Sequence, residues 1–407
     1  MVWITPEAPA PFELAQCVGC GLCLAVCPTY RLTADETASP RGRLAAMAAV
    51  ADGTVAIDSI FDDVIGFCLQ CRACQVVCPA LVPFGRMIEG VRAEIKVQKP
   101  SLARRARSRV LGRWVAMPGL VRLGIGAAAL VRRAGLGRWM PRLLAGLRPS
   151  ARVELRGREF AAVGPERGTA ALLLGCVMES GFPQIHVATI ETLQRAGYRV
   201  VTSAGQACCG ALAAHEGAAL DARRLAQRNV DVFSGADFVI ADAAGCSSHL
   251  KEYGHWAGEG GADLASRVRD VTEIVAEAIE AGWLPVSNTD RGPVAVQDPC
   301  HLRHAQRIVD EPRIILRAAG YRIVEIDEDG LCCGAAGAWG LLHPEASDTL
   351  AEAKASQVHQ AGSTIVASAN VGCEMQLRAH LEGWYRVAHP VELYWEAVVD
   401  DATGTVG

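Results

Sequence analysis

The spacing C-x2-C-x2-C-x3-C-P occurs twice in the first eighty residues, at Cys17, Cys20, Cys23 and Cys27 before Pro28, and at Cys68, Cys71, Cys74 and Cys78 before Pro79. A chain that folds around such loops must bring several thiols to one place, which constrains it more than any hydrophobic pattern. The chain has sixteen cysteines in 407 residues. The other eight form two dispersed sets of four, Cys176, Cys208, Cys209 and Cys246, then Cys300, Cys332, Cys333 and Cys373, with none left over. No basic and apolar secretory signal precedes Cys17, so a cytoplasmic setting is expected, where structural disulfides are disfavoured. Sets of four then read as metal ligation.

In the dense motifs, a tight loop lets three thiolates reach three irons of one 4Fe–4S cube, while the fourth cysteine, starting a helix beyond, reaches the other cube. The spacing assigns Cys17, Cys20, Cys23 and Cys78 to one cluster and Cys27, Cys68, Cys71 and Cys74 to a second. Gly19, Gly21, Ala25 and Ala73 leave room for the cubes. Structural zinc is the competing reading, but a zinc knuckle needs two ligands, and a third cysteine at the same pitch has no role in it.

Half the residues are apolar and about a fifth are charged, which suits a globular protein of two or three domains. From residue 166 a repeat emerges. Its first copy runs ALLLGC to Cys176, a helical stretch, YRVVTS, Cys208-Cys209-Gly210, and DFVIADAAGC to Cys246; its second runs PVAVQDPC to Cys300, a helical stretch, YRIVEID, Cys332-Cys333-Gly334, and STIVASANVGC to Cys373. Short β-branched runs alternating with amphipathic stretches predict parallel α/β architecture, with the cysteines at the carboxyl ends of strands, where ligands bind. The fold expected is α/β overall: an α-helical two-cluster domain over 1–99, a basic helical linker over 100–165, and two repeated Rossmann-like cysteine-rich subdomains over 166–290 and 291–400. Each subdomain offers one site for a further cluster, with zinc or unligated buried thiols as the alternatives.

Residues 101–150 hold eleven Arg and no Asp or Glu; with the whole chain at −4, the remainder is −15. Either the arginines cover acidic neighbours, or the segment is a peripheral membrane contact, because Trp114, Met117, Leu120, Val121, Leu136, Trp139 and Met140 beside so many Arg suit an anionic headgroup boundary. Its longest uncharged run, Leu123 to Val131, is nine residues, against the ~20 that a spanning helix needs. Nucleic acid is not an expected partner, because the rest of the chain is acidic and carries no binding motif. Gly124-x-Gly126-x-x-Ala129 has no preceding strand and no acidic partner, and no other FAD or NAD motif occurs, so any flavin is expected on another chain.

The two C-x31-C-C-G units resemble the cysteine-rich domains found in heterodisulfide reductase, in the anaerobic glycerol-3-phosphate dehydrogenase and in the glycolate oxidase iron–sulfur subunit. CVGCGLCLAVCPTY, PRGRL, AGCSSHLKEYG, LCCGAAGAWGLLHP and SANVGCEMQL resemble the last of these most. The resemblance implies an electron-transfer subunit of a glycolate (2-hydroxy acid) oxidase, taking electrons from a partner FAD subunit and passing them to a membrane acceptor such as quinone. It implies no substrate oxidation by this chain itself. Subunits of glycerol-3-phosphate or D-lactate dehydrogenase, a heterodisulfide-reductase-like enzyme and a zinc-stabilised scaffold are the alternatives. The full heterodisulfide pattern ends each repeat in C-x2-C, whereas Cys246 is followed by Ser247, Ser248 and His249, and Cys373 by Glu374, Met375 and Gln376. His249, His301 or His304 could stand in for the missing fifth cysteine, although a lone His near such a site is more often a hydrogen-bonding neighbour.

Overall fold

A computed structural model of the chain describes residues 3–137, 140–147, 149–326 and 330–403. The first hundred residues form helices, the longest being Pro40–Ala51 and Phe84–Gln98. Their starts are fixed locally: the Ser39 hydroxyl accepts from Gly42 N–H at 3.0 Å, and Asp58 caps Ser59–Gly66 by accepting from Phe61 N–H at 2.8 Å. Met47, Ile65, Met87, Ile88 and Val91 are fully buried between these helices, so the cysteine loops are mounted on a packed core of their own. Cys27 caps the helix Pro28–Thr33, as expected of a fourth cysteine. Cys78 does not: a turn follows it and the next helix begins only at Phe84, since Pro83 would fall inside any helix begun at Pro79.

Two sheets follow. The first contains β1 (Arg158–Phe160), β2 (Gly168–Leu173), β3 (Tyr198–Thr202), β4 (Phe238–Ala241) and β5 (Val268–Asp270), in the order β1-β3-β2-β4-β5. The second contains β6 (Pro293–Gln297), β7 (Arg322–Glu325), β8 (Ile365–Ser368) and β9 (Arg386–Ala388), in the order β7-β6-β8-β9. All pairings are parallel except β1 with β3. With β1 set aside, the two orders are identical, and the repeat seen in the cysteines is a repeat of topology. β1 lies inside the stretch expected as linker; it is a three-residue edge strand whose pairing to β3 no period-2 pattern announces.

The two α/β units share one core. Leu172, Leu174, Ile190 and Leu193 of the first pack in the same cluster as Val294, Val296, Ile315, Val391 and Tyr394 of the second. The last helix, Pro390–Thr403, carries Val391 and Tyr394 into it, and the Tyr394 hydroxyl donates to Pro285 C=O at 2.7 Å.

The basic segment is a strap across both units. Ile125, Leu143 and Leu147 pack with Phe182 of the first and with Cys373 and Met375 of the second. At Gly146 the backbones meet: a Cβ there would lie 1.9 Å from the Met375 carbonyl oxygen. Four arginines pair with acids elsewhere, Arg104 with Asp62, Arg107 with Glu216, Arg113 with Asp221 and Arg142 with Glu352. Part of the strap's positive charge is thus matched by acids elsewhere in the chain. Trp114, Met117, Leu120, Leu123, Leu130 and Leu136 face outward, while Trp139 lies outside the described residues. Among the described residues no single helix is long and apolar enough to cross a membrane.

Candidate metal centres

Cys17, Cys20 and Cys23 line one cleft together with Cys78, and Cys27 lines another with Cys68, Cys71 and Cys74. The clefts thus bring thiols of both motifs together, Cys78 beside the first loop and Cys27 beside the second. Cys74 borders both clefts. The two loops share one backbone shape. Gly19 and Gly21 take φ of +71° and +81°, and the corresponding Gln70 and Arg72 take +58° and +62°. The glycines therefore serve the turn as well as the space. In the second loop non-glycine residues hold the same left-handed conformation at a cost of about 1–3 kcal/mol each, and bonds from outside hold them there. Gln70 donates to His215 C=O at 3.0 Å, and Arg72 pairs with Glu252 and Glu89.

Several cations that the sequence reading did not single out support these loops. Arg41 donates to Gly19 C=O at 3.0 Å. Arg43, fully buried, donates to Ala38 C=O at 2.7 Å and to Thr29 Oγ1 at 3.2 Å, beside Cys27. Arg92 donates to Cys68 C=O at 2.7 Å and Gly66 C=O at 3.1 Å. Arg41 and Arg43 are the two arginines of PRGRL, which was the available signal. Buried cations beside clustered thiolates offset a charge that would otherwise be prohibitive in a dry interior.

In each α/β unit, the sites lie at the carboxyl ends of three adjacent strands. Cys176 follows β2, Cys208 and Cys209 follow β3, and Cys246 follows β4; Cys300, Cys332, Cys333 and Cys373 stand in the same relation to β6, β7 and β8. The order places them where the winding of the sheet reverses, the usual ligand crevice of such sheets. The thiols touch in the same sequence in both units: 176 with 208, 208 with 209, 209 with 246, and likewise 300, 332, 333 and 373. The Cys176 and Cys208 sulfurs are 3.4 Å apart. Hydrogen bonding with Cys176 and Cys209 pulls the Cys208 thiol well below its ordinary range. Contact with Cys208 and burial push the Cys176 thiol well above it. Burial likewise pushes Cys71 and Cys74 up. Thiols this close cannot all ionise unless a cation shares them, which is the situation a metal centre relieves.

The four sets form a string. Cys74 lies within electrostatic reach of Cys23, and Cys71 of Cys300. Cys71 shares an apolar cluster with Cys332 and Cys300, and Cys246 shares another with Cys333 and Cys373. One end is open, with Cys20 exposed, while Cys176, Cys208 and Cys209 at the other end are buried. Among the described residues no three Cys, His, Asp or Glu side chains close on a point as a single metal ion requires. All-thiol sets spread around a cleft fit iron–sulfur clusters better.

Residues 13–82 match the model of the 4Fe-4S dicluster domain, and residues 170–251 and 294–378 each match that of the Cysteine-rich domain. The chain is 32% identical to the probable glycolate oxidase iron-sulfur subunit of Bacillus subtilis, over 95% of this chain and 94% of that one. It is 28% identical to the glycolate oxidase iron-sulfur subunit of Escherichia coli, over the same shares. To lactate utilization protein A of Oceanobacillus iheyensis it is 26% identical over 55% of this chain and 95% of that one. Fold, sites and relatives define an iron–sulfur electron-transfer subunit that joins a dicluster domain to two cysteine-rich domains. Within that class, the chain belongs to the glycolate oxidase iron–sulfur subunit family.

Proposed function

We propose that this chain carries electrons from a partner FAD subunit that oxidises glycolate or a related 2-hydroxy acid to a membrane acceptor such as a quinone. The observation that carries the reading is the string of four thiol sets, running from a surface loop at Cys20 to the buried Cys208. Cys17, Cys20, Cys23 and Cys78 hold one 4Fe–4S cluster and Cys27, Cys68, Cys71 and Cys74 a second. The two sets in the α/β units, which we read as Rossmann-like, hold one further cluster each. When bound, these clusters supply one-electron redox chemistry. The chain's own part is to exclude water around the inner sets, to balance their charge with Arg43, Arg72 and Arg92, and to fix their spacing through rigid cores.

The strap's outward Trp114, Leu123 and Leu130, with exposed Arg105, Arg109 and Arg133, support a peripheral contact at the cytoplasmic membrane face. The lactate-utilization relative favours a second reading, a lactate-oxidising partner, under which this chain's role is unchanged. The heterodisulfide-reductase reading is weakened by His249 and Gln376 at the places of the fifth cysteines. Purified alone, the chain should not reduce an artificial acceptor with glycolate, and assembled with the flavoprotein it should. Oxidation of glycolate by the isolated chain would overturn the proposal.

A further inference from the structure

We propose that His249 is a nitrogen ligand to the iron–sulfur centre of the first α/β unit, completing a donor set with Cys176, Cys208, Cys209 and Cys246 that the second unit lacks. The inference rests on the reading that this unit holds a cluster, and it concerns which atoms bind it.

His249 lies three residues after Cys246 on the short helix Ala244–Leu250, close to one turn on, so both side chains leave the same face. It is only 2% exposed, and neither Nδ1 nor Nε2 has a hydrogen-bond partner. Burying even one unsatisfied polar group costs about 1–3 kcal/mol, and a Leu or Phe would pack there without that cost. The ring is held edge-on to Tyr253 and tilted against Trp256, both at 5.7 Å between centroids. Tyr253 is itself fixed, its hydroxyl donating to Cys209 C=O at 2.7 Å and accepting from Asn229 at 2.9 Å. That packing places Nε2 beside the Cys209–Gly210 turn: a Cβ built on Gly210, the residue after Cys209, would lie 3.4 Å from it. His249 is also close enough to act electrostatically on the Cys208 thiol.

The other two candidate histidines are engaged. His301 Nε2 lies 3.0 Å from Gln70 C=O, and His304 Nε2 lies 2.9 Å from Gly330 C=O. In the second unit the matching position is Gln376, whose Nε2 donates to Ser347 Oγ at 3.0 Å and which, as an amide, offers no basic nitrogen. The two units therefore share a topology and four thiols but differ at the fifth position. A neutral nitrogen in place of an anionic sulfur raises a cluster's reduction potential, as in centres where histidines replace cysteines on one iron.

The test is pulsed EPR on the full chain, purified and reconstituted anaerobically, reduced, and prepared with natural-abundance or [15N]histidine. The expected result is a strong hyperfine coupling that follows the histidine label. It should vanish in His249→Cys, with the potential of one centre lowered and the iron content retained. Iron beyond what two 4Fe–4S clusters account for, with no histidine coupling in the unmodified chain, would overturn the ligation and leave the cluster reading standing. Iron for two clusters only would overturn both. A coupling that survives His249→Cys would assign the nitrogen to another histidine and also overturn the inference.

Discussion

Arg72 donates through Nη2 to Glu252 Oε2 at 2.8 Å, and this pair fastens the second cysteine loop to the first α/β unit. Arg72 is 8% exposed and sits between Cys71 and Ala73 with a left-handed backbone. One side chain thus holds a strained ligand loop and a domain junction together. Burial opposes the Arg72 charge, but Glu252 and Glu89 outweigh it and raise its pKa further.

Glu252→Gln should loosen that junction. Breaking a fully buried pair costs about 3–5 kcal/mol, because a charge is left behind. Here the Glu252 side chain is 35% exposed and Glu89 remains 3.7 Å from Arg72, so a loss of about 2 kcal/mol is expected. Thermal unfolding of the cluster-loaded chain measures it. An unchanged midpoint would mean that the pair is ornamental and that Arg72 is held by Glu89 alone.

Cys78→Ser should damage the centre of Cys17, Cys20 and Cys23 and spare the nearer-in-sequence centre of Cys68, Cys71 and Cys74. EPR of the reduced variant distinguishes the two signals. Selective loss of the second signal would show that the shared cleft is not shared ligation.

A pH effect is expected at His389. Burial lowers its pKa to about 4, and Val391 N–H donates to its Nδ1 at 3.2 Å, which favours the neutral ring. The unfolded chain binds a proton near pH 6.5 that the folded chain takes up only near 4. Stability is therefore full above about 6.5 and falls with pH toward 4, by up to about 1.4 kcal/mol per unit. Neighbouring His186 adds no acid loss in this window: burial disfavours its charge, but Asp242 at 2.6 Å wins and raises its pKa, so its stabilisation is present below pH 6.5 and is lost only as pH rises. His389→Gln should flatten the acid limb of the unfolding midpoint against pH, and an unaltered slope would contradict this.

The sixteen clustered cysteines and the doubled α/β unit were legible because each is a matter of spacing along the chain. The string of sites was not. It depends on Cys71 meeting Cys300 across 229 positions, and no local pattern encodes a junction between cores. Nor could spacing show that Gln70 and Arg72 copy the glycine turn of Gly19 and Gly21, since their conformation is enforced by His215 and Glu252. The strap was legible as basic but not as docked. Its ion pairs with Asp62, Glu216, Asp221 and Glu352 draw on acids in three different regions.

If the strap also meets the membrane, the Arg105→Gln, Arg109→Gln, Arg133→Gln triple variant should bind anionic vesicles several-fold more weakly with its unfolding midpoint unchanged. Each exposed arginine near such a surface is worth about 1 kcal/mol before screening. Unchanged vesicle binding, or loss of the flavoprotein partner instead, would contradict the membrane contact.

The most direct test of the central claim is iron and acid-labile sulfide per chain after anaerobic purification. Two clusters in the N-terminal domain require at least eight of each, since each cube holds four, and occupied α/β sites carry the count higher. Saturation at four irons, or zinc in place of iron, would contradict it.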